Sequence, residues 1–403
     1  MNLIASFIML IYAFSGVLTY GLPFDLPERT YPIIWGIGWE SLMPSTGTVR
    51  PLVVILEFPD DNISHDGDEA VLAVREYVLS QMQEATELFY QQSFGRLNIQ
   101  IELDDIFFHR TSRNRNRYIS LLARTFAHHM LMGEIIGALE ETGIDFSVYD
   151  SNGDGFIDSL FLLISSSDGL LADGYARVIC DANLTIDGKT FGSYMVSPYP
   201  TDNPWNFWIQ VHEIGHVLGL EDHYRVRNSA VLDLNLSDIM VCTSGRYFNI
   251  FSRFILDWVD PVVLTPYDPV QEIKIYAVER GGSAHAHETK AVVFTSNYYE
   301  LPFTEYFIIE YRRGINEDSG FYENPGIMVW QANSALTYRG YSFTNMRESI
   351  QIVPQSGRAN TRFSRFSLSE DMFTPGDVFS ESGFFMEVIE TNFDYAIIRA
   401  GSL

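Results

Sequence analysis

The sequence predicts an α+β protein in two parts, with a mixed twisted sheet and helices over residues 21–262 and an all-β region over residues 263–403. Up to about residue 262, apolar runs of strand length alternate with stretches of helical spacing. From about residue 263 onward, short β-like runs are separated by Gly, Asn, Ser and Pro. The chain has 403 residues, which is long enough for each part to bury a core of its own.

The first part contains the elements of a sheet covered by helices. Residues 21–48 are rich in Pro and Gly and are predicted to form an extended arm. Residues 51–59 form a continuous apolar run, typical of a strand buried on both faces, whereas residues 97–103 alternate as a half-buried strand does. Helical spacing over residues 70–92 and 118–141 predicts two amphipathic helices.

The candidate functional residues lie in the segment HEIGHVLGLEDHY, which starts at His212. Its first residues are predicted to form a helix at the centre of the first part. His212 and His216 are four residues apart, so both imidazoles lie on one helix face and together can bind Zn²⁺. Glu213 lies beside them and can take a proton from a water activated by the metal. Gly219 ends the helix, which allows Asp222 to return as a third ligand. The alternative is a buried amphipathic helix whose two histidines are satisfied within the core.

The sequence around this helix supports its boundaries. Asn203 and Pro204 are typical of a helix start, as the cap and the first helical residue. Residues 183–197 contain a hairpin turn signal, and a strand before the helix is predicted to form a sheet edge that an extended peptide could join. Met240, in a short irregular segment, is predicted to provide an apolar floor beneath the ligands.

A second metal site is predicted at residues 150–158, where the spacing of polar residues matches a calcium loop. Such a loop uses side-chain oxygens at positions 1, 3 and 5, a main-chain carbonyl at position 7 and a carboxylate at position 9, here Asp150, Asn152, Asp154, Phe156 and Asp158. Position 12 is Phe161, so the bidentate glutamate of an EF-hand is missing. A metal-free turn is the alternative.

Three local clusters of charge have both a plain and a functional interpretation. Residues 60–69 are acidic, which indicates a solvated loop or a second calcium site. Four arginines at 110, 113, 115 and 117 indicate a solvated turn or a proteolytic processing site. In the β-rich part, His285, His287 and Glu288 indicate a solvated loop or a metal cluster.

Charge and the N-terminal sequence restrict the partners and the location. The formal net charge of −26 argues against nucleic acid and against anionic membranes as partners. Protein or peptide substrates are expected from the zinc motif instead, because a water activated by the metal can attack a peptide carbonyl. Residues 2–19 are apolar and uncharged, which predicts a signal peptide over residues 1–20 and a secreted, extracellular protein, with a retained signal anchor as the alternative. No other stretch approaches the ~18 apolar residues of a membrane span, so no stable span is expected after signal removal.

Cysteines and glycosylation sequons are consistent with secretion. Cys180 and Cys242 can pair in an oxidising compartment or remain as two buried thiols. Sequons at Asn62, Asn183 and Asn235 fit a secreted glycoprotein.

These motifs together resemble the immune inhibitor A family of secreted metallopeptidases, over most of the chain from about residue 50 to 400. The resemblance lies in HEIGHVLGLEDHY, YDSNGDGFID at 149–158, FYQQSFGRL at 89–97, DIM at 238–240 with FSRFILDWV, and EYFIIEYRRG with PGIMVW. It implies a zincin catalytic domain followed by a β-rich tail, with zinc held by His212, His216 and Asp222, Glu213 as general base, and a structural Ca²⁺ near residues 150–158. Glu221 replaces the proline usual in the family, and is the substitute ligand if Asp222 is not one.

Two functions from different classes follow from the sequence. The first is a secreted zinc endopeptidase, in which Glu213 is the general base and Tyr224 either donates a hydrogen bond or only packs. The second is a secreted, non-catalytic zinc- and calcium-binding protein whose β-rich tail binds a surface or a glycan. Glu213 favours the enzyme, because a purely structural zinc site has no need of a base beside it.

Overall fold

The computed structural model describes residues 43–60, 65–119, 124–164, 175–178, 184–199, 204–220, 223, 226–227, 230–231, 238–240, 246–302, 304–313, 325–333, 350–353, 355 and 372–402. Several predicted features lie outside these ranges: the signal peptide over residues 1–20, most of the N-terminal arm, the three sequons, Cys180, Cys242, Asn203, Glu221, Asp222 and Tyr224. No helix in the described ranges combines the length and the apolar character that a membrane span requires.

The strands before residue 262 are two to six residues long. They are β1 (Gly47–Val49), β2 (Leu52–Glu57), β3 (Leu97–Ile99), β4 (Ile106–Arg110), β5 (Phe156–Ile157), β6 (Leu160–Ile164), β7 (Tyr175–Val178), β8 (Thr185–Ile186), β9 (Lys189–Phe191), β10 (Ser193–Pro198), β11 (Val226–Arg227) and β12 (Ala230–Val231). The α-helices are α1 (Asp68–Gln92), α2 (Asn116–Ile119), α3 (Arg124–Glu140), α4 (Pro204–Val217) and α5 (Ile250–Ile255), with 3₁₀ turns at Leu103–Asp105 and Phe146–Tyr149.

A five-stranded mixed sheet forms the centre of this part, in the order β4-β2-β6-β10-β7. The first four strands are parallel, and β7 pairs antiparallel with β10. Every residue of β2, β6 and β10 is buried, which explains why β2 up to Leu56 and β6 are continuous apolar runs, whereas β10 also buries Ser193 and Ser197. The mixed sheet agrees with the predicted α+β class.

Helices cover both faces of the sheet. Apolar side chains that alternate along the strands enter two separate cores. One core joins Ile55, Phe161 and Met195 of the sheet to Met82 and Phe89 of α1 and to Ile214 of α4. The other joins Leu162 and Val196 to α3 through Ile135 and Leu139. Burial of each such side chain stabilises the fold by about 1.5–3 kcal/mol.

The region after residue 262 is rich in β-strands, as predicted. Its strands are β13 (Val262–Leu264), β14 (Gln271–Tyr276), β15 (Ala291–Phe294), β16 (Glu305–Arg312), β17 (Gly326–Asn333), β18 (Ile350–Ile352), β19 (Val378–Glu381), β20 (Phe384–Thr391) and β21 (Tyr395–Ser402). They form a five-stranded sheet, β13-β15-β16-β17-β18, and a four-stranded sheet, β14-β21-β20-β19. A core that includes Phe294, Ile309, Met386 and Ile398 joins the two sheets.

The second face of the five-stranded sheet packs against the first part. Ile308 and Trp330 from this sheet share a core with Phe94, which follows α1, and with Phe251 and Phe254 of α5. The two parts are therefore in apolar contact along α5 and the end of α1.

One predicted edge is wrong. The strand just before the central helix is β10, and it lies inside the sheet between β6 and β7. The hairpin at residues 185–191 forms as predicted, with Asp187 and Gly188 both at positive φ, but it belongs to a separate small sheet in which β9 pairs with β5. The last strand of the central sheet beside α4 is β7.

Candidate metal centre

Helix α4 places the two histidines and the glutamate together. His212 and His216 lie one turn apart, with ring centroids 4.7 Å apart and ring planes at 89°. Possible ligand atoms of His212, Glu213 and His216 all lie within 4.8 Å of one another. In the part of the chain that the structure describes, no other group of three His, Cys, Asp or Glu side chains converges in this way.

The helix ends where the sequence predicts. Gly219 has a φ of +99°, which a residue with a side chain rarely adopts. The amide of Leu220 donates to the carbonyl of Gly215 at 3.0 Å, and the amide of Gly219 donates to the carbonyl of His216 at 2.9 Å. This pair of bonds is a Schellman motif, and it turns the chain away immediately after the second histidine.

Hydrogen bonds to the main chain fix the orientation of both imidazoles. His212 Nδ1 lies 2.9 Å from the carbonyl oxygen of Ile239, and His216 Nδ1 lies 2.8 Å from that of Leu220. A carbonyl oxygen only accepts, so each Nδ1 carries the hydrogen and each Nε2 of the neutral ring has the lone pair. Such an arrangement is typical of zinc-binding histidines, so the two side chains fit the metal that the sequence predicts.

The site lies at the edge of the first core. His212 is 5% exposed and Glu213 is 3% exposed, whereas His216 is half-buried. A low-dielectric surrounding strengthens the interaction of a carboxylate with a cation or a proton beside it. Asp222, the predicted third ligand, lies outside the described residues.

Met240 lies against the helix, where it was predicted. A Cβ atom added to Gly215, between the two histidines, would come within 2.7 Å of Met240 Sδ. Gly215 therefore allows the fully buried thioether to pack against the backbone of α4.

Sequence reasoning missed a polar network beside the histidines. The Asp238 carboxylate is fully buried and accepts hydrogen bonds from His223 Nδ1 at 2.6 Å and from Asn249 Nδ2 at 2.7 Å. The sign of this network in the sequence is His223, which directly follows Asp222. Its hydrogen-bond partner Asp238 lies 15 residues further along the chain, so the motif does not reveal the pair.

The calcium-loop residues 150–158 are all described, and Lys189 lies among them. Asp150 Oδ2 accepts from the Gly155 amide at 3.1 Å and forms an ion pair with Lys189 Nζ. Burial acts to raise the pKa of Asp150, but the hydrogen bonds from Lys189 and the Gly155 amide and the charge of Lys189 together outweigh it, so the pKa lies below its ordinary value. For Asp158, burial raises the pKa.

The remaining side chains of this loop bind one another and the main chain. Asn152 Nδ2 donates to Asp154 Oδ2 at 2.7 Å, and Asp158 Oδ2 accepts from the Arg50 amide at 2.9 Å. In the described residues, Asp150, Asp154 and Asp158 do not converge as the group on α4 does. The loop is an ordered turn linked to Lys189, and calcium binding stays a prediction.

The acidic and the basic runs meet in space. Asp60 Oδ1 accepts from the Arg115 amide at 2.9 Å, and Arg110 bridges Asp66 at 2.9 Å and Glu57 at 2.8 Å. Arg110 and Asp66 are exposed, at 40% and 78% of their side chains. These contacts bring the acidic run and the basic run together, and Arg110 neutralises part of the local negative charge.

The cluster at residues 285–288 is an ion-pair network. Glu288 is only 6% exposed and binds Arg280 at 2.7 Å, Lys290 at 2.8 Å and His285 at 3.1 Å. Burial acts to raise the pKa of Glu288, but the hydrogen bonds from Arg280 and Lys290 lower it to about 2. The solvated-loop interpretation is therefore wrong for this side chain.

The chain matches no protein-family model and no curated protein, so the geometry of the site itself carries the functional interpretation.

Proposed function

We propose that the chain is a secreted zinc-dependent endopeptidase with a zincin-like catalytic domain. The supporting observation is the group of His212, Glu213 and His216 on one helix face, with both Nδ1 atoms bound to carbonyls. A core histidine needs only a satisfied ring, whereas here possible ligand atoms of two histidines and a glutamate converge to within 4.8 Å of one another. We propose Asp222 as the third ligand, with Glu221 as its substitute.

Glu213 has the position of a general base. It neighbours His212 in sequence, belongs to the same group of converging atoms and is almost fully buried. When bound, zinc supplies a Lewis acid that polarises the scissile carbonyl and acidifies the attacking water. The Glu213 carboxylate accepts the proton of this water and returns it to the leaving amine.

The main chain of β7 provides a place for the substrate backbone. This strand is antiparallel to β10, packs beside α4 and is the last strand of the central sheet in the described ranges. An extended peptide can add to such an edge by main-chain hydrogen bonds, which require no particular side chains. We therefore propose unfolded or flexible protein segments as the substrate class.

Replacement of Glu213 by Gln tests the proposal. E213Q keeps the shape of the side chain but cannot accept the proton, so chelator-sensitive cleavage of casein should fall about 100- to 10,000-fold. Its zinc content should equal that of the wild type. The control is E140Q, which changes an exposed glutamate at the end of α3 and should keep full activity.

Two results would contradict the proposal. Full activity in E213Q would exclude Glu213 as the base. A wild-type protein that binds zinc but cleaves neither casein nor a peptide library would favour the non-catalytic, zinc-binding alternative.

A further inference from the structure

We infer, on the basis of the proposed zinc site, that Asp238 is a positioning residue that holds both sides of the metal centre through one buried carboxylate. It acts through His223 on one side and through the main chain of Ile239 on the other. Nothing in the H-E-x-x-H motif itself requires this group.

The turn at residues 238–240 is bonded to both sides of the site. Its Ile239 carbonyl accepts from His212 Nδ1 at 2.9 Å, which sets the rotation of the first imidazole. Its Met240 carbonyl accepts from the His223 amide at 2.8 Å, which holds the segment that follows α4. A shift of this turn would therefore move both groups together.

The Asp238 carboxylate holds the turn in place. It is fully buried, and it accepts from His223 Nδ1 at 2.6 Å, Asn249 Nδ2 at 2.7 Å, and the amides of Met240 and Asn249, each at 3.3 Å. A buried carboxylate is stable only when donors surround it, so this group orders every segment that supplies one. The ring of Phe251 packs against His223 in an edge arrangement, with ring centroids 6.2 Å apart.

His223 transmits this order to the segment that follows α4. Residue 223 is fixed by its side chain on Asp238 and by its main chain on Met240. A change at His223 therefore also loosens the turn whose Ile239 carbonyl orients His212. His223 itself is not one of the converging atoms on α4, and its Nδ1 is bound to Asp238.

Zinc affinity measured by competition with a chelator tests the inference in the full chain. His223→Gln places its amide too far from the main chain to replace Nδ1, and Asp238→Asn removes the acceptor of two donors. Both should weaken zinc binding about 10- to 100-fold, as loss of a supporting hydrogen bond typically does. His223→Asn carries an amide nitrogen at the distance of Nδ1, so it should restore affinity close to the wild-type value.

A matched control is His109→Asn, whose shorter side chain does not reach the position of Nε2 and so breaks a histidine–carboxylate bond of 3.2 Å between β4 and Glu134. It should leave zinc affinity unchanged. The visible spectrum of the cobalt-substituted protein is the second readout: it should change in H223Q and return to the wild-type form in H223N, an effect that general loss of stability does not produce.

The outcomes separate this inference from the proposed function. A wild-type protein that binds no zinc would refute the zinc site itself. A wild-type protein that binds zinc, together with an H223Q variant that binds it equally tightly and with the same cobalt spectrum, would refute the positioning role alone. If D238N does not fold, H223Q decides, because it leaves Asp238 with its three other donors.

Discussion

Replacement of Arg253 by Met should destabilise the protein, because this buried guanidinium joins three segments. Arg253 lies on α5 and is fully buried. Its Nε donates to the Phe248 carbonyl at 3.0 Å, Nη1 to the Val278 carbonyl at 3.1 Å, and Nη2 to Gln92 Oε1 at 3.1 Å. It therefore links the end of α1, the segment beneath α4 and the β-rich region.

The expected change in the free energy of unfolding of R253M is the difference between two effects. Three lost hydrogen bonds to buried acceptors cost about 1–2 kcal/mol each, or about 3–6 kcal/mol together. Against this, burial and the nearby Arg312 lower the pKa of Arg253 to about 10, so the charge itself costs about 3 kcal/mol that Met would recover. Met also keeps most of the apolar stem. The difference between the two effects is about 0–3 kcal/mol, so R253M should lose about 1.5 kcal/mol, the middle of that range.

Urea unfolding followed by tryptophan fluorescence measures the effect, since Trp258 and Trp330 are both buried and report on the two parts. The control is Arg399→Met, whose side chain is 55% exposed and pairs with Glu387 at 3.4 Å, so its stability should change by less than about 0.5 kcal/mol. An R253M variant as stable as the wild type, or more stable, would show that the buried charge costs more than its bonds return.

Three further predictions concern the helix end, the calcium loop and pH. Gly219→Ala places a Cβ in the left-handed region and should cost about 1–2 kcal/mol, seen as a lower thermal midpoint. Lys189→Met removes the ammonium group from Asp150, so millimolar calcium should raise the thermal midpoint of this variant more than that of the wild type; no response in either protein would exclude a calcium site. Burial raises the pKa of Asp257 to about 6, so the folded state binds its proton more tightly than the unfolded state does, and this residue's contribution to stability falls as pH rises from about 4 to about 6. Asp257→Asn should remove that slope in urea titrations and be more stable than the wild type at neutral pH; an unchanged slope would contradict the assignment to Asp257.

The sequence predicts which segments form strands and helices better than it predicts which strands lie next to one another. A continuous apolar run identified β2 as a strand buried on both faces, and helical spacing identified α1. Both signals are local, because the burial of a strand or of a helix face determines which of its own residues are apolar. Leu72 shows the limit of this signal: it fits the apolar stripe of α1, yet it is 43% exposed.

The position of β10 could not be predicted from its own residues. Its sequence, SYMVSP, does not say which strands lie beside it, because that depends on pairings with β6 and with β7, which precede it in the chain. Strand order is therefore a property of the whole sheet. For the same reason the motif indicated His212 and Glu213, which are local, but not Asp238, which reaches His223 only after the chain returns.

The H-E-x-x-H helix alone does not determine the proposed metal centre. The Ile239 carbonyl that orients His212 belongs to a turn whose Ile239 amide donates to the Tyr247 carbonyl at 3.0 Å. The next residue, Phe248, is held by Gln92 of α1 at 2.7 Å and by Arg253, which in turn reaches Val278 of the β-rich region. Metal affinity depends on ligands held within a few tenths of an ångström. The support of helix α4 therefore extends into both parts of the chain, and the β-rich region contributes to the proposed metal centre as a structural element.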